Sequence, residues 1–176
     1  MKILTSTLFI FILGFSSCDK LDELNTKTIE DIEISETVLI EANALKSTQI
    51  KSGETDVTFS KTLTLDLNNI KEIQDYLSHL ENMNLKSFTC KITDLGEGLI
   101  SSLQVSIPEL NYSVDVTSIQ TDKALQINFT VEQLKEIANS LLEDQSLKIV
   151  LSGTVEQAVD FSIKTTALAD IEVEIL

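Results

Sequence analysis

From Ile29 to the C-terminus the apolar residues return at every second position, and this period constrains the fold more than any other feature of the chain. Successive side chains of a strand point to opposite faces, so period-two alternation marks strands with one buried and one solvated face. Ile32 and Ile34 alternate, then Val38 and Ile40, then Val57 and Phe59, then Leu63, Leu65 and Leu67. Phe88, Cys90 and Ile92 continue the pattern, as do Leu103, Val105 and Ile107, followed by Val114 and Val116. Further on come Leu125, Ile127 and Phe129, then Leu147, Ile149 and Leu151, then Val159, Phe161 and Ile163. A last strand carries Ala167, Ala169, Ile171, Val173 and Ile175. Thr, Ser, Lys and Asp occupy most of the alternate positions, which suits antiparallel sheets packed on one side.

Two segments change to helical spacing. Ile70, Ile73, Leu77 and Leu80 fall three and four residues apart, with Asn68 or Asn69 placed to cap the start. Leu134, Ile137, Ala138 and Leu141 do the same after Thr130-Val131-Glu132-Gln133, which has the form of a capping box.

Each helix sits between two strands, and the two units read alike. Lys61-Thr62-Leu63-Thr64-Leu65-Asp66-Leu67 parallels Lys123-Ala124-Leu125-Gln126-Ile127-Asn128-Phe129. Ile70-Lys71-Glu72-Ile73 parallels Leu134-Lys135-Glu136-Ile137, and Asn84-Leu85-Lys86 parallels Ser146-Leu147-Lys148. A strand-helix-strand repeat and the common pattern of any two amphipathic units account for this equally well. The expected architecture is mainly β with two short helices (α+β). An antiparallel β-sandwich is the first choice, and a strongly curved sheet embracing the helices the second. Residues 31–176 are expected to form a single β-rich domain.

The segment before the alternation is different. Met1-Lys2 precedes an apolar run from Ile3 to Phe15, and Ser16-Ser17-Cys18 follow. A positive start, a short apolar run and small residues at the end are the three parts of a secretory signal peptide. The run is too short to span a bilayer, which takes roughly 20 apolar residues. Phe15-Ser16-Ser17-Cys18 resembles the lipobox of bacterial lipoproteins, with Phe15 where that family more often has Leu. The resemblance implies a signal peptide over 1–17, cleavage before Cys18, and acylation of that cysteine. More than one acyl chain holds a protein stably on a membrane, whereas one alone binds marginally. Residues 18–30 are polar and acidic and read as a tether. The acidic run after Cys18 is similar to that of Bacteroidota lipoproteins, which implies an envelope location, at the outer membrane, on a face the resemblance does not specify.

Composition narrows the function. Lysines number 13 against 28 carboxylates, no arginine occurs, and the formal net charge is −15. Arginine is the preferred reader of phosphates and guanine edges, and a strongly negative protein is repelled by nucleic acid. Nucleic acid is therefore not an expected partner. Cys18 and Cys90 are the only cysteines, so acylation of Cys18 leaves Cys90 no disulfide partner within the chain. His79 is the only histidine, and neither Gly-rich phosphate-binding motif occurs. No cofactor is expected.

Few residues offer themselves as a site. Asp94 and Glu97, in the loop Asp94-Leu95-Gly96-Glu97-Gly98, are weak candidates for a cation, because they lack the ligand run of a calcium loop. His79 falls opposite the apolar face of the first helix, which suits solvent exposure. Cys90 lies between Phe88 and Ile92, where a thiol behaves as a small hydrophobe. With no catalytic residue assigned, the expected function is a lipid-anchored, non-enzymatic envelope module that binds a protein or a polysaccharide or has a structural role. The alternative is a carrier of a lipid or small apolar ligand, with a cavity between sheets and helices.

Overall fold

The computed structural model describes residues 25–42, 56–96, 98–117 and 119–175. Cys18, the expected signal peptide over 1–17 and Glu97 lie outside them. Eight strands run as β1 (Thr26–Ala42), β2 (Val57–Asp66), β3 (Leu80–Thr93), β4 (Ile100–Ile107), β5 (Tyr112–Asp115), β6 (Ala124–Gln126), β7 (Ser146–Val155) and β8 (Val159–Glu174). Among the described residues one α-helix, α1 (Val131–Asp144), joins β6 to β7. All pairings are antiparallel and form two four-stranded sheets, β1-β8-β3-β6 and β2-β7-β4-β5. The inward residues of both sheets make one core, so the chain is a mostly-β sandwich and not a single curved sheet.

Phe59 of β2 meets Phe161 of β8 edge-on across the sandwich, with ring centroids 5.3 Å apart. Phe88 of β3 meets Phe129 in the same way at 5.4 Å, just before α1. Edge-to-face packing sets the positive rim of one ring on the negative face of the other.

The order of strands carries a two-fold relation. Replacing each strand by the one four places later turns β1-β8-β3-β6 into β5-β4-β7-β2, which is the second sheet read from its other edge. Each half of the chain gives two strands to each sheet, so the halves are interleaved. The segments Lys61–Leu67 and Lys123–Phe129 take corresponding places, leading out of β2 and β6. The third parallel is corrected by the pairing. Leu65 lies opposite Leu147, whereas Ile127, the counterpart of Leu65, donates its N–H to the carbonyl of Phe88 at 2.8 Å. Phe88 and not Leu85 thus corresponds to Leu147, a difference of three residues.

Three other expectations are revised. The tether was expected to run to residue 30, but Thr26–Ile29 already pair with β8. A bulge between Ile29 and Ile32, with Asp31 at φ 56°, breaks the alternation there and hides the strand's start. The first helix is two 3₁₀ segments, Leu67–Asn69 and Lys71–Tyr76, parted by an extended Ile70. Its cap is Asp66, whose carboxylate accepts from the N–H of Asn68, and Leu80 belongs to β3. Finally, Val159–Ile163 and Ala167–Ile175 are expected as separate strands, with Thr165, a hydroxyl at an inward position, lying between them. They form one strand, β8, running to Glu174, and Thr165 is fully buried.

The capping box at α1 is present on both sides. Thr130 Oγ1 accepts from the N–H of Gln133 at 3.2 Å, and Gln133 Oε1 accepts from the N–H of Thr130 at 2.9 Å. Ile137, Ala138 and Leu141 turn into the core from the helix.

Candidate functional site

Of the residues singled out from sequence, the described ones, His79, Cys90 and Asp94, are not gathered in one place. His79 ends the 3₁₀ turn before β3, half-buried, and its carbonyl accepts the N–H of Glu174. Asp94 lies at the other end of β3, a strand of 14 residues or roughly 45 Å at about 3.3 Å per residue. Asp94 takes φ 63° and accepts from Thr93 Oγ1 at 3.1 Å. The neighbouring Leu95 is buried and pins the loop to the core. Among the described residues no group of three or more His, Cys, Asp or Glu side chains converges on a common point.

Cys90 is fully buried, facing inward from β3, with its Sγ 3.6 Å from Thr165 Oγ1. Burial pushes the thiol up to about 11, because the thiolate would stand in an apolar medium; the Thr165 hydroxyl offsets a part of this. Such a thiol is unreactive at neutral pH.

The two outer faces of the sandwich differ in chemistry. On the first sheet, Lys86 Nζ sits 2.8 Å from Asp31 Oδ1 and 2.6 Å from Asp170 Oδ1, and Lys164 Nζ sits 2.5 Å from Glu33 Oε1. Hydrogen bonds that Lys86 donates to Asp170 and then to Asp31 hold its ammonium above the ordinary lysine range. The Lys86 bond, helped by the N–H of Asp31, holds Asp170 below the usual carboxylate range. On the second sheet two rows in register carry hydroxyls, an amide and one carboxylate: Thr58, Thr154 and Ser102 form one row, and Ser60, Ser152, Gln104 and Asp115 the next. Ser102 and Thr154 share a hydrogen bond of 2.8 Å, and Gln104 Nε2 donates to Asp115 at 2.9 Å. A shallow groove of about 340 Å³ opens among Ser102, Gln104, Asp115 and Ser152.

The larger groove, about 670 Å³, lies between β3 and α1. β3 contributes Asn82, Met83, Asn84, Leu85 and Lys86; α1 contributes Val131, Leu134, Lys135 and Asn139. Its lining holds two lysines and no carboxylate, on a protein in which carboxylates outnumber lysines two to one. Val131 is 79% exposed, the largest exposure among the described apolar side chains of that size. Glu136, the carboxylate next to Lys135, accepts a hydrogen bond from the Tyr112 hydroxyl of β5, and this bond raises the Tyr112 phenol above its usual range. Sequence reasoning did not find the groove. It depends on β6 being short and on where α1 comes to rest, which are long-range outcomes.

No helix among the described residues is long and apolar enough to cross a membrane. No protein-family model matches the chain.

Proposed function

We propose that this chain is a lipid-anchored envelope protein, held on a membrane through an acylated Cys18, that binds a macromolecular partner at its surface without catalysis. The observation that carries the binding reading is the groove between β3 and α1, open to solvent and free of carboxylates on an otherwise acidic molecule. Phe88, Phe161, Ile34, Ile40, Leu65 and Ile137 are fully buried between the sheets and the helix, which favours a partner held outside over cargo held within. The separation of His79, Cys90 and Asp94 along β3 supports binding over catalysis, since general acid–base and nucleophilic chemistry need such groups within hydrogen-bond reach of one another. The anchor rests on the lipobox-like Phe15-Ser16-Ser17-Cys18.

The test is a Cys18→Ala substitution in the full chain, followed by fractionation and a substrate screen. The parent chain is expected in the membrane fraction, beginning at Cys18 with acyl chains attached. The variant is expected to be unprocessed or released. Equal processing and equal membrane retention of the two would contradict the anchor. Turnover of a hydrolase substrate lost on one Asp or Glu substitution would contradict the non-enzymatic reading.

A further inference from the structure

β3 has two edges, and they are treated differently. One pairs with β8 over the whole strand, from Leu80 to Thr93. The other has a strand partner only at Thr89–Lys91, where the three-residue β6 pairs with it. Past that point the chain leaves the sheet and enters α1, and the groove opens alongside Asn82–Lys86. A strand edge without a partner presents backbone donors and acceptors to any extended chain that reaches it. The N–H of Met83 is held meanwhile by the side chain of Asn82 at 2.9 Å, a bond that a side-chain rotation releases.

We infer that Asn82–Lys86 is a strand-addition site for an extended, acidic segment of a partner protein, which pairs main chain to main chain with β3 and lies against α1. The inference rests on the reading of this chain as a surface-binding module and names the chemistry of the partner. Three observations carry it. β6 already pairs on this edge, so an added strand continues an existing line in the sheet. Five residues of β3 span about 17 Å, close to the usual strand length of about five or six residues. The remaining observation is the lining. Val131 and Leu134 offer apolar contacts to alternate side chains of an added strand, and the charged groups are lysines.

Those lysines set the sign of the partner. Lys135 forms no ion pair with any described residue, and its neighbour Glu136 is turned to Tyr112. Lys86 is engaged by Asp31 and Asp170 on the outer face of the first sheet, so Lys135 carries the larger share of the selection. A strand with Glu or Asp at alternate positions meets Lys135 without facing a carboxylate in the groove lining. A basic strand gains no such partner. Main-chain bonds supply affinity in this mode of recognition, and the alternate side chains supply specificity.

The experiment is amide hydrogen exchange on the full chain, purified from membranes in detergent, with two synthetic probes. One is a peptide of about eight residues alternating Val and Glu; the other alternates Val and Lys. The Val/Glu peptide is expected to slow exchange at residues 82–86, and the Val/Lys peptide is not. N-methylation of the Val/Glu peptide on alternate residues removes its donors and is expected to abolish the protection. Lys135→Glu, at an exposed helical position, is expected to weaken Val/Glu binding about fivefold and to leave the rest of the exchange map unchanged. Equal protection by both peptides, protection elsewhere only, or none at all would overturn the site. Protection at 82–86 that grows with protein concentration without peptide would also overturn it, in favour of pairing between two copies. A parallel exchange map with envelope extract separates this failure from that of the broader reading. Protection at another surface leaves the binding module standing without this site, and protection nowhere removes both.

Discussion

Cys90 and Thr165 show how one buried pair sets a measurable property of the molecule. Their side chains meet at 3.6 Å in a core that is otherwise apolar. The thiol is pushed up to about 11 in the folded chain, against about 8.5 for an exposed cysteine. The sign follows from proton counting. Below the unfolded value both states hold the proton, so stability is independent of this group. Between about 8.5 and 11 the unfolded chain loses the proton and the folded chain keeps it, so stability falls as pH rises. Urea unfolding of the parent chain is expected to weaken over that window, and Cys90→Ala is expected to flatten the part due to the thiol. An unchanged slope in the variant would place the titration elsewhere, Lys86 and Tyr112 being the other described groups whose raised values give a loss in the same direction. The inward orientation of Cys90 was legible from Phe88 and Ile92. Its partner was not, because Thr165 interrupts an apolar alternation that then resumes at Ala167, and a lone hydroxyl in that place reads as a break.

At the scale of the element, what was legible is what depends on period alone. Alternation located the strands because a half-buried strand has no other way to sort its side chains. It failed wherever a single residue departs from the sort. Glu36 takes an inward position in β1 yet is exposed, and Lys61 does the same in β2. Both strands are sheet edges, where an inward-directed charge deters pairing with another chain. The first helix, expected from Ile70, Ile73, Leu77 and Leu80, is present as 3₁₀ turns, because the three-residue step from Ile70 to Ile73 is one that 3₁₀ and α-helix both accept. Gly153 of β7 is a further element-level device. A Cβ there would stand 2.1 Å from the carbonyl oxygen of Ser102 and 2.9 Å from the Phe59 ring, so β4 lies against its neighbour β7 at a distance only glycine allows. Gly153→Ala is expected to cost about 3 kcal/mol, read as a lower urea midpoint with an unchanged slope. Gly96→Ala meets no atom within 4 Å and pays only for its φ of 60°, about 1 kcal/mol. Similar costs for the two would contradict the close approach of β4 to Gly153.

For the whole molecule, the interleaved two-fold order explains why the chain has one core although its halves resemble each other. Neither half contains a complete sheet, so each needs the other to bury its apolar face. The asymmetry between the halves is where the candidate site arises. β2 pairs with β7 along its full ten residues, whereas β6 pairs with β3 over three, and the longer helix α1 follows the shorter strand. The groove is the space this exchange leaves open. None of it was legible in a linear pattern, since alternation reports which face of a strand is buried and not how long its pairing with a distant strand lasts. The measurement that bears most directly on the account is native mass spectrometry of the chain released from its own membranes, read for the covalent mass at the N-terminus and for any non-covalent occupant. The expected result is a chain beginning at Cys18 with acyl groups attached and, when something remains bound, a polypeptide. An N-terminus without acyl groups, or a lipid or small apolar molecule retained by the folded part, would contradict it.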